Sequence, residues 1–464
     1  MVEKNIKGVN KLINEALIFK QRGDLIRAER LLSKAIKIDP KNFIAFNNIG
    51  SIYSARNKPE EAKNFFLKAI HFKPDYGNAI FNLALINEEM GNKQEAIKYY
   101  KEAIKIDPKN LSFHHNLSRV DKTYFSTLDS NEIEIILQNE KISKFNKSSG
   151  FFILAYDQKI KKNFKKEFYY LTEAHNFFHY SDERINNQAS FYWIRLIPKV
   201  IEKFNFSSKK YLPKEINPIF ITGLPRSGST LVESIISSGK QIIPNGGETS
   251  ILNRILLEDN KNFFTGKEFL DKEKKLKINQ NSFLKKLINQ YQLINLLDKN
   301  KKSFFTDKSL ENFFFIELIV KLFPDAKIIN SERNILQIII SIYQNFLPNI
   351  KWSHSIDNIL EYIDNYLKIM DRFKKKYPNS IYTVKLEELT TDANKISKDI
   401  FRFCNLEWDS KCLEFYKRDD LVSKTASNQQ IRNKIFIHDE KKYAAYKEFL
   451  SPYATKYEWL KKFL

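Results

Sequence analysis

Residues 217–238 read NPIFITGLPRSGSTLVESIISS and hold the densest chemistry in the chain. A turn containing Gly223, Pro225 and Gly228 carries one guanidinium, Arg226, and the hydroxyls of Ser227, Ser229 and Thr230. The run Pro218 to Thr222 before it suits a buried strand, and Leu231, Val232, Ile235 and Ile236 after it fall at helical spacing. A strand, a glycine turn and a helix in that order aim backbone N–H groups and the positive helix end at one spot, so an anion belongs there. Gly223 to Thr230 nearly spells the nucleotide-triphosphate loop G-x-x-x-x-G-K-[ST], but Ser229 stands where that loop has its lysine. The missing ammonium argues against ATP. A guanidinium among hydroxyls can surround a singly linked phosphate or phosphosulfate without a metal.

Further along, Glu248 follows the turn Asn245-Gly246-Gly247 and is predicted, with Thr249, to open a helix continuing through Ile251, Leu252, Ile255 and Leu256. A carboxylate in a first helical turn is ordinary dipole chemistry. Set just past an anion site, it can also take the proton from an attacking hydroxyl. Lys308 follows the predicted strand Ser303 to Thr306 and is either a surface charge or a fixed cation; Asp307 or Ser309 can cap the helix expected over Asn312 to Phe323. Arg333 follows the predicted strand Ala326 to Asn330, with Ser341 eight residues on in a helix from Ile335. His175 and His179 have a spacing that can bind zinc, but no Cys or acidic third ligand stands nearby, and they read as surface or core histidines. Neither HExxH nor DxD occurs.

Pro225-Arg226-Ser227-Gly228-Ser229-Thr230 resembles the 5′-phosphosulfate loop of the sulfotransferases, and the second half of the chain is similar to the protein-tyrosine sulfotransferase-like branch, including bacterial proteins that join that domain to tetratricopeptide repeats. The resemblance implies the donor 3′-phosphoadenosine 5′-phosphosulfate, with no metal, its 5′ side held by residues 225–230 and its 3′-phosphate by Arg333 and Ser341. It carries a catalytic base onto Glu248, through a matching G-E-T step. It carries onto Lys308, beside Arg226, a cation facing the bridging oxygen, where charge gathers as the S–O bond breaks. A family pattern S-x-x-Q-[VI]-[RK] maps onto Ser427 to Arg432, implying that Ser427 lies near the bridging oxygen and Arg432 near the 3′-phosphate; Lys434 sits where proline is common. Arg254 matches an arginine that helps hold an acidic peptide acceptor. The family's other acceptor arginine falls at Ser250 and its proline at Asn253, so a peptide (a protein tyrosine), a glycan or a small metabolite all stay open as the hydroxyl-bearing acceptor.

These residues need a frame. With a short strand at Gln241 to Pro244, a helix over Ser355 to Lys376, a strand at Ser380 to Leu386, a helix at Ala393 to Cys404 and terminal helices over 439–464, strands alternate with helices at the rhythm of a parallel sheet covered on both faces. The expected fold is α/β: a P-loop-like domain over 213–464, with Arg226, Lys308 and Arg333 beyond the carboxyl ends of strands, preceded by an all-α superhelix.

That superhelix is written as a repeat. Pro40, Pro74 and Pro108 recur at 34 residues, as do Ala28, Ala62 and Ala96, and Ala35, Ala69 and Ala103, with Gly23, Asn57 and Gly91 marking the turns. This is the tetratricopeptide period, with three copies over 1–110. Residues 111–212 read as helical, with a worn repeat from Phe151 to Phe178 after a linker at Asn146 to Gly150, NKSSG. The concave face of such an array holds a peptide or protein partner, or the array is a cap or dimer surface; Phe46, Asn47, Asn48, Phe81 and Asn82 lie where a groove would be lined.

The totals bound the rest. At 464 residues and 42% apolar, two or three domains with a sizeable core are expected. The formal charge of +22 fits an anionic ligand, nucleic acid or a membrane surface, but lysine is abundant throughout beside Asn, Ile and Phe, and no zinc, RNP or helix-turn-helix signature supports nucleic acid. Two cysteines, Cys404 and Cys412, make no disulfide framework; with no leader-like apolar stretch and no run of eighteen apolar residues, a cytoplasmic protein without a membrane span is expected. The reading is a sulfotransferase with a repeat array. The alternatives are a nucleotide-retaining scaffold whose repeats bind a protein, and a P-loop kinase-like enzyme that would need the absent loop lysine.

Overall fold

The structure is a computed structural model that describes residues 2–21, 23–207, 215–265, 275–297, 303–418, 420, 421, 428, 430–437 and 441–464. The chain divides into two compact units: residues 1–157 with 419–424, and residues 158–418 with 425–464.

The first unit is helical. Its repeats are antiparallel pairs formed by α1 (Val2–Gln21) with α2 (Leu25–Ile38), α3 (Phe43–Ala55) with α4 (Pro59–Phe72), and α5 (Gly77–Met90) with α6 (Lys93–Ile106). The three turn residues Gly23, Asn57 and Gly91 all adopt left-handed backbone, with φ of 78°, 60° and 87°. The period is thus a conformational one, because each pair needs one residue that tolerates positive φ. Ala28, Ala62, Ala96, Ala35, Ala69 and Ala103 are all fully buried, so the small residues stand where helices touch. Then come α7 (Leu111–Val120), α8 (Tyr124–Thr127), α9 (Ser130–Leu137) and α10 (Lys144–Ile160). The expected linker at 146–150 lies inside α10 instead. Ser148, Ser149 and Gly150 are buried there, and an added Cβ on Gly150 would come within 2.6 Å of Leu111 and 2.9 Å of Leu137. Small residues here serve close packing, not a loop.

The second unit opens with α11 (Phe164–His179), α12 (Glu183–Phe191), a π-helical turn Tyr192–Leu196 and α13 (Ile197–Val200). The worn repeat at 151–178 therefore spans the second half of α10 and α11. Strand β1 (Phe204–Phe206) leads to β2 (Ile216–Gly223), then α14 (Ser229–Ser237), α15 (Ile251–Asp259), α16 (Lys261–Thr265), β3 (Leu276–Ile278), α17 (Gln280–Leu293) and β4 (Ser303–Asp307). After β4 a 3-10 turn, Leu310–Phe315, precedes α18 (Ile316–Leu322), where one helix from Asn312 was expected. Next are β5 (Lys327–Glu332), α19 (Ile335–Tyr343), α20 (Ile356–Lys376), β6 (Ile381–Lys385), α21 (Leu386–Thr391) and α22 (Ala393–Phe403). The tail is 3-10 turns around one short helix, α23 (Lys447–Leu450).

The main sheet is parallel, in the order β4-β2-β5-β6, and β1 pairs with β3 separately. In the expected strand at Gln241 to Pro244 a single bridge, Ser238 to Ile242, forms; Pro244 lies against the outer edge of β4 instead, its carbonyl accepting from Thr306 N at 3.0 Å. Register sets the geometry of the carboxyl edge. Phe220 of β2 pairs with Asp307 of β4, and Gly223 with Ser331 of β5. The chain leaves these three neighbouring strands at Gly223, Asp307 and Glu332, and the cations Arg226, Lys308 and Arg333 follow within three residues. Around them the core is aromatic and aliphatic: Phe220, Phe305, Phe313, Phe314, Phe315, Ile328 and Ile329 are all fully buried.

Candidate functional site

The anion loop needs unusual backbone. Gly223 has φ 147°, Arg226 φ 70° and Gly228 φ 94°. A Cβ on Gly223 would stand 2.5 Å from the Ser331 carbonyl oxygen, and one on Gly228 2.7 Å from Leu386, so the chain passes where only glycine fits. Arg226 accepts left-handed backbone at a cost of about 1 kcal/mol or more. α14 begins at Ser229, so the positive end of the helix faces back into the turn. Pro225, Ser227, Ser229 and Thr230 are buried. Ser227 Oγ is a buried hydroxyl with no hydrogen-bond partner among the described residues.

The two arginines are locked onto α19. All nine residues of that helix are buried, so the polar groups of Gln337 and Ser341 must be satisfied internally. Arg226 Nε donates to Ser341 Oγ at 3.1 Å. Arg333 donates to Gln337 Oε1 from Nε (2.9 Å) and Nη2 (2.8 Å), and from Nη1 to the Arg226 carbonyl (3.3 Å). Its Nη2 also donates to Tyr443 OH at 3.3 Å, with the guanidinium over that ring. Beside the loop a cleft is lined by Arg226, Thr230, Arg333, Leu386 and the tail residues Ile431 and Lys434. Arg432, in the 3-10 turn Gln430–Arg432, donates from Nη1 to the Arg418 carbonyl at 3.2 Å. Ser427 lies outside the described residues.

Beyond β4 stands the second cluster. Lys308 Nζ donates to Glu248 Oε1 at 2.8 Å, with the lysine side chain 1% exposed and the carboxylate 45% exposed. Burial pulls the Lys308 ammonium pKa down, yet the Glu248 and Glu233 carboxylates outweigh it and hold it above the ordinary lysine value. Glu248 does not open a helix: α15 starts at Ile251, and Ser250 before it has φ 50°. The reason is lateral. The Thr249 hydroxyl donates to Asp307 Oδ2 (2.9 Å), the Ser250 N–H donates to Ser309 Oγ (2.8 Å), and the Ser250 hydroxyl donates to Glu311. These bonds hold Thr249 and Ser250 against the end of β4, with Ser250 in left-handed backbone.

Two carboxylates that the motif reading did not single out as site residues complete the cluster. Glu233 of α14, 2% exposed, accepts from Gly247 N at 3.0 Å and from Thr306 Oγ1 at 2.8 Å; burial raises its pKa. Asp307 is no simple helix cap: besides Thr249 it accepts from Tyr291 OH (2.6 Å), Ser309 N (3.0 Å) and Ser309 Oγ (2.6 Å). The available signal for Glu233 was a lone acid in the apolar stretch LVESIIS, and for Gln337 a lone amide in ILQIIISIY. Arg254 of α15 donates to Gln290 Oε1 of α17 at 2.8 Å, its pKa lowered by burial. Asn253 accepts from Tyr192 OH. His175 serves the interior, its Nε2 at 2.8 Å from the Tyr343 carbonyl and its Nδ1 at 2.9 Å from His354 Nδ1; the described residues contain no group of three His, Cys, Asp or Glu able to hold a metal ion. No helix among the described residues is long and apolar enough to cross a membrane.

A glycine-turned loop at the end of a central parallel strand, with cations following it and both neighbouring strands, defines a P-loop-like α/β domain. Comparison makes this specific: residues 218–410 match the sulfotransferase family, and residues 31–64 and 77–110 match tetratricopeptide repeats. The chain joins tetratricopeptide repeats to a sulfotransferase-family domain. A curated relative from Aquifex aeolicus (strain VF5), described as an uncharacterized protein, is 28% identical over 334 residues. The match covers 69% of this chain and 42% of the relative, so the chain spans under half of that protein's length. Among solved structures, the first tetratricopeptide domain of Spaghetti (RPAP3), bound to an HSP90 peptide, is 19% identical, with 25% of this chain and 94% of that one covered and a TM-score of 0.24. The Sgt2 repeat domain from Aspergillus fumigatus is 23% identical, with 26% and 80% covered and a TM-score of 0.24, and YrrB is 17% identical, with 38% and 89% covered and a TM-score of 0.27.

Proposed function

We propose that this protein transfers a sulfuryl group from 3′-phosphoadenosine 5′-phosphosulfate to an acceptor hydroxyl, a protein tyrosine being one such acceptor. The observation that carries the reading is the Lys308–Glu248 contact at 2.8 Å: a buried ammonium and an exposed carboxylate, one residue past the end of β4 and one past the Gly247 turn. The loop suits the donor on its own terms. The Ser227 hydroxyl, without a partner among the described residues, and a turn with no room for a Cβ at Gly223 or Gly228 make a cradle for an anion, and the guanidinium supplies its countercharge.

The donor brings a sulfuryl group attached to a phosphate that can leave. Pro225, Arg226, Ser227, Gly228, Ser229 and Thr230 hold its 5′ side, and Arg333, Ser341 and Arg432 its 3′-phosphate. Glu248, open to an approaching hydroxyl, takes the proton; Lys308, with Arg226 and Ser427, meets the charge on the leaving oxygen. As in phosphoryl transfer, positioning and charge neutralisation supply most of the rate. Residues 213–464 form the catalytic domain, residues 1–110 the repeat array, where a protein or peptide partner docks, and 111–212 a helical region with a worn repeat. Free, buried Cys404 and Cys412 suit a reducing, cytoplasmic setting.

Glu248→Ala and Lys308→Ala should each lower turnover by roughly a hundredfold or more, with affinity for adenosine 3′,5′-bisphosphate nearly unchanged in calorimetry. Undiminished turnover in both variants, or no heat with the nucleotide, overturns the reading.

A further inference from the structure

We propose that two buried carboxylates, Glu233 and Asp307, are positioning residues that clamp the Lys308–Glu248 pair from both sides, an inference that rests on the group-transfer reading above. Glu233 grips the residue before Glu248, through Gly247 N at 3.0 Å, and the residue two before Lys308, through Thr306 Oγ1 at 2.8 Å. Asp307 grips the residue after Glu248, through Thr249 Oγ1 at 2.9 Å, and the residue after Lys308, through Ser309 N and Oγ at 3.0 and 2.6 Å. Strand alternation explains the division of labour. Successive side chains at the end of β4 point to opposite faces, so Thr306 and Lys308 share the Glu233 side while Asp307 reaches around the other. Lys308 N also donates to the Gly247 carbonyl at 2.8 Å, and Gly247 N is shared with Asn245 Oδ1 at 3.0 Å, which ties the same turn to the strand through its backbone.

Glu233 has a second consequence. It sits one turn into α14, whose first residue is Ser229 of the anion loop, so the helix that faces the donor also holds the turn carrying the proposed base. Its charge acts on Lys308 as well, together with Glu248 from the turn and Glu311 from the 3-10 segment; all three carboxylates favour the protonated ammonium against its burial. Without these grips, alignment of the two side chains would rest on the remaining bonds between the turn and the strand and on their own 2.8 Å contact. A misplacement of about 1 Å can cost roughly a hundredfold in rate.

The test uses the full chain and three variants. Glu233→Gln keeps an acceptor oxygen for Gly247 and Thr306 while removing the charge, Glu233→Ala removes both, and Thr249→Val releases the Asp307 grip while leaving that buried carboxylate its other donors. Amide hydrogen exchange at Gly247, Glu248 and Lys308 should quicken roughly tenfold or more in Glu233→Ala and stay within about threefold in Glu233→Gln, with β2 and β5 unchanged. The turnover of Glu233→Ala and Thr249→Val should fall by roughly thirtyfold or more, with donor KM and bisphosphate affinity within about threefold. Glu233→Gln should recover most of that turnover and shift the high-pH limb of its profile to lower pH, because Lys308 loses a neighbouring anion. Unchanged exchange in Glu233→Ala, or quickened exchange with full turnover, overturns the clamp. If the wild-type chain transfers no sulfuryl group, the exchange pattern decides alone: quickening confined to these residues supports the clamp and its absence overturns it.

Discussion

Arg226 Nε donates to Ser341 Oγ across 3.1 Å, joining the anion loop after β2 to a helix 115 residues further along the chain. The bond meets two needs at once. It gives a polar residue of the wholly buried α19 a partner, and it fixes a guanidinium whose own backbone is left-handed. Ser341→Ala should therefore weaken adenosine 3′,5′-bisphosphate binding by roughly tenfold in calorimetry, as expected for losing one hydrogen bond to a charged group, while thermal unfolding shifts by only a few degrees. Unaltered affinity would show that Arg226 is oriented by the loop alone.

Much of this arrangement was legible beforehand, and the parts that were not share a cause. The strand, turn and helix around Gly223 to Thr230 are local, and so is the 34-residue period: Gly23, Asn57 and Gly91 announce left-handed turns by residue type. The clamp is not local. Glu233 meets Thr306 across 73 residues, and its sequence context offers no more than an acid in an apolar helix. The helix expected at Glu248 was displaced because Asp307 and Ser309 take the Thr249 hydroxyl and the Ser250 N–H, donors that would otherwise lie in its first turn. Ser148, Ser149 and Gly150 misled because small residues have one composition whether they make a turn or let helices approach. The three-residue strands β1 and β3 are too short to display a period.

Glu311 should make the second unit less stable as pH rises. Burial raises its carboxyl from the ordinary 4.5 to about 7, the Ser250 hydroxyl opposing and the Glu248 and Asp307 charges adding. A carboxyl raised in the folded state binds its proton more tightly there, so its contribution is complete below about 4.5 and is lost as pH climbs through about 7. Glu311→Gln, which can still accept from Ser250, removes that slope. Denaturant midpoints should show the variant gaining on the wild type between pH 4.5 and pH 7 and holding a constant advantage above it; parallel curves would place Glu311 in a solvated setting.

His175 should produce the opposite slope. Burial lowers its imidazole from 6.5 to about 4, against the Tyr343 carbonyl, which favours the charged form. A depressed histidine contributes fully above about 6.5, and that contribution is lost as pH falls through about 4. His175→Phe keeps a ring over Tyr343, whose centroid lies 4.2 Å away, but cannot titrate. The variant forfeits the bond to the carbonyl at every pH, and its deficit relative to the wild type should narrow from pH 6.5 to pH 4. A deficit independent of pH would mean that the folded chain admits the charged ring.

Two glycines of the repeat array offer a matched comparison of one substitution. Gly8 lies in α1 with nothing among the described residues within 4 Å of an added Cβ, whereas on Gly50 of α3 the Cβ would meet the Phe66 ring of α4 at 2.6 Å. Phe66 is 2% exposed and belongs to the buried cluster with Ala62, Leu83 and Ile86, so the ring cannot swing into solvent. Replacing a helical glycine with alanine is worth up to about 1 kcal/mol through backbone entropy, and forcing an extra methyl into a packed contact costs about 1–3 kcal/mol. Gly8→Ala should therefore stabilise its helix by up to about 1 kcal/mol. In Gly50→Ala the steric term wins, and the contact between α3 and α4 should be weakened by about 1–2 kcal/mol net. Native-state hydrogen exchange in the full chain reads both effects helix by helix, as slower exchange in α1 for the first variant and faster exchange in α3 and α4 for the second. A stabilising Gly50→Ala would mean that the two helices can move apart at little cost, and that the buried alanines, not the glycine, set their spacing.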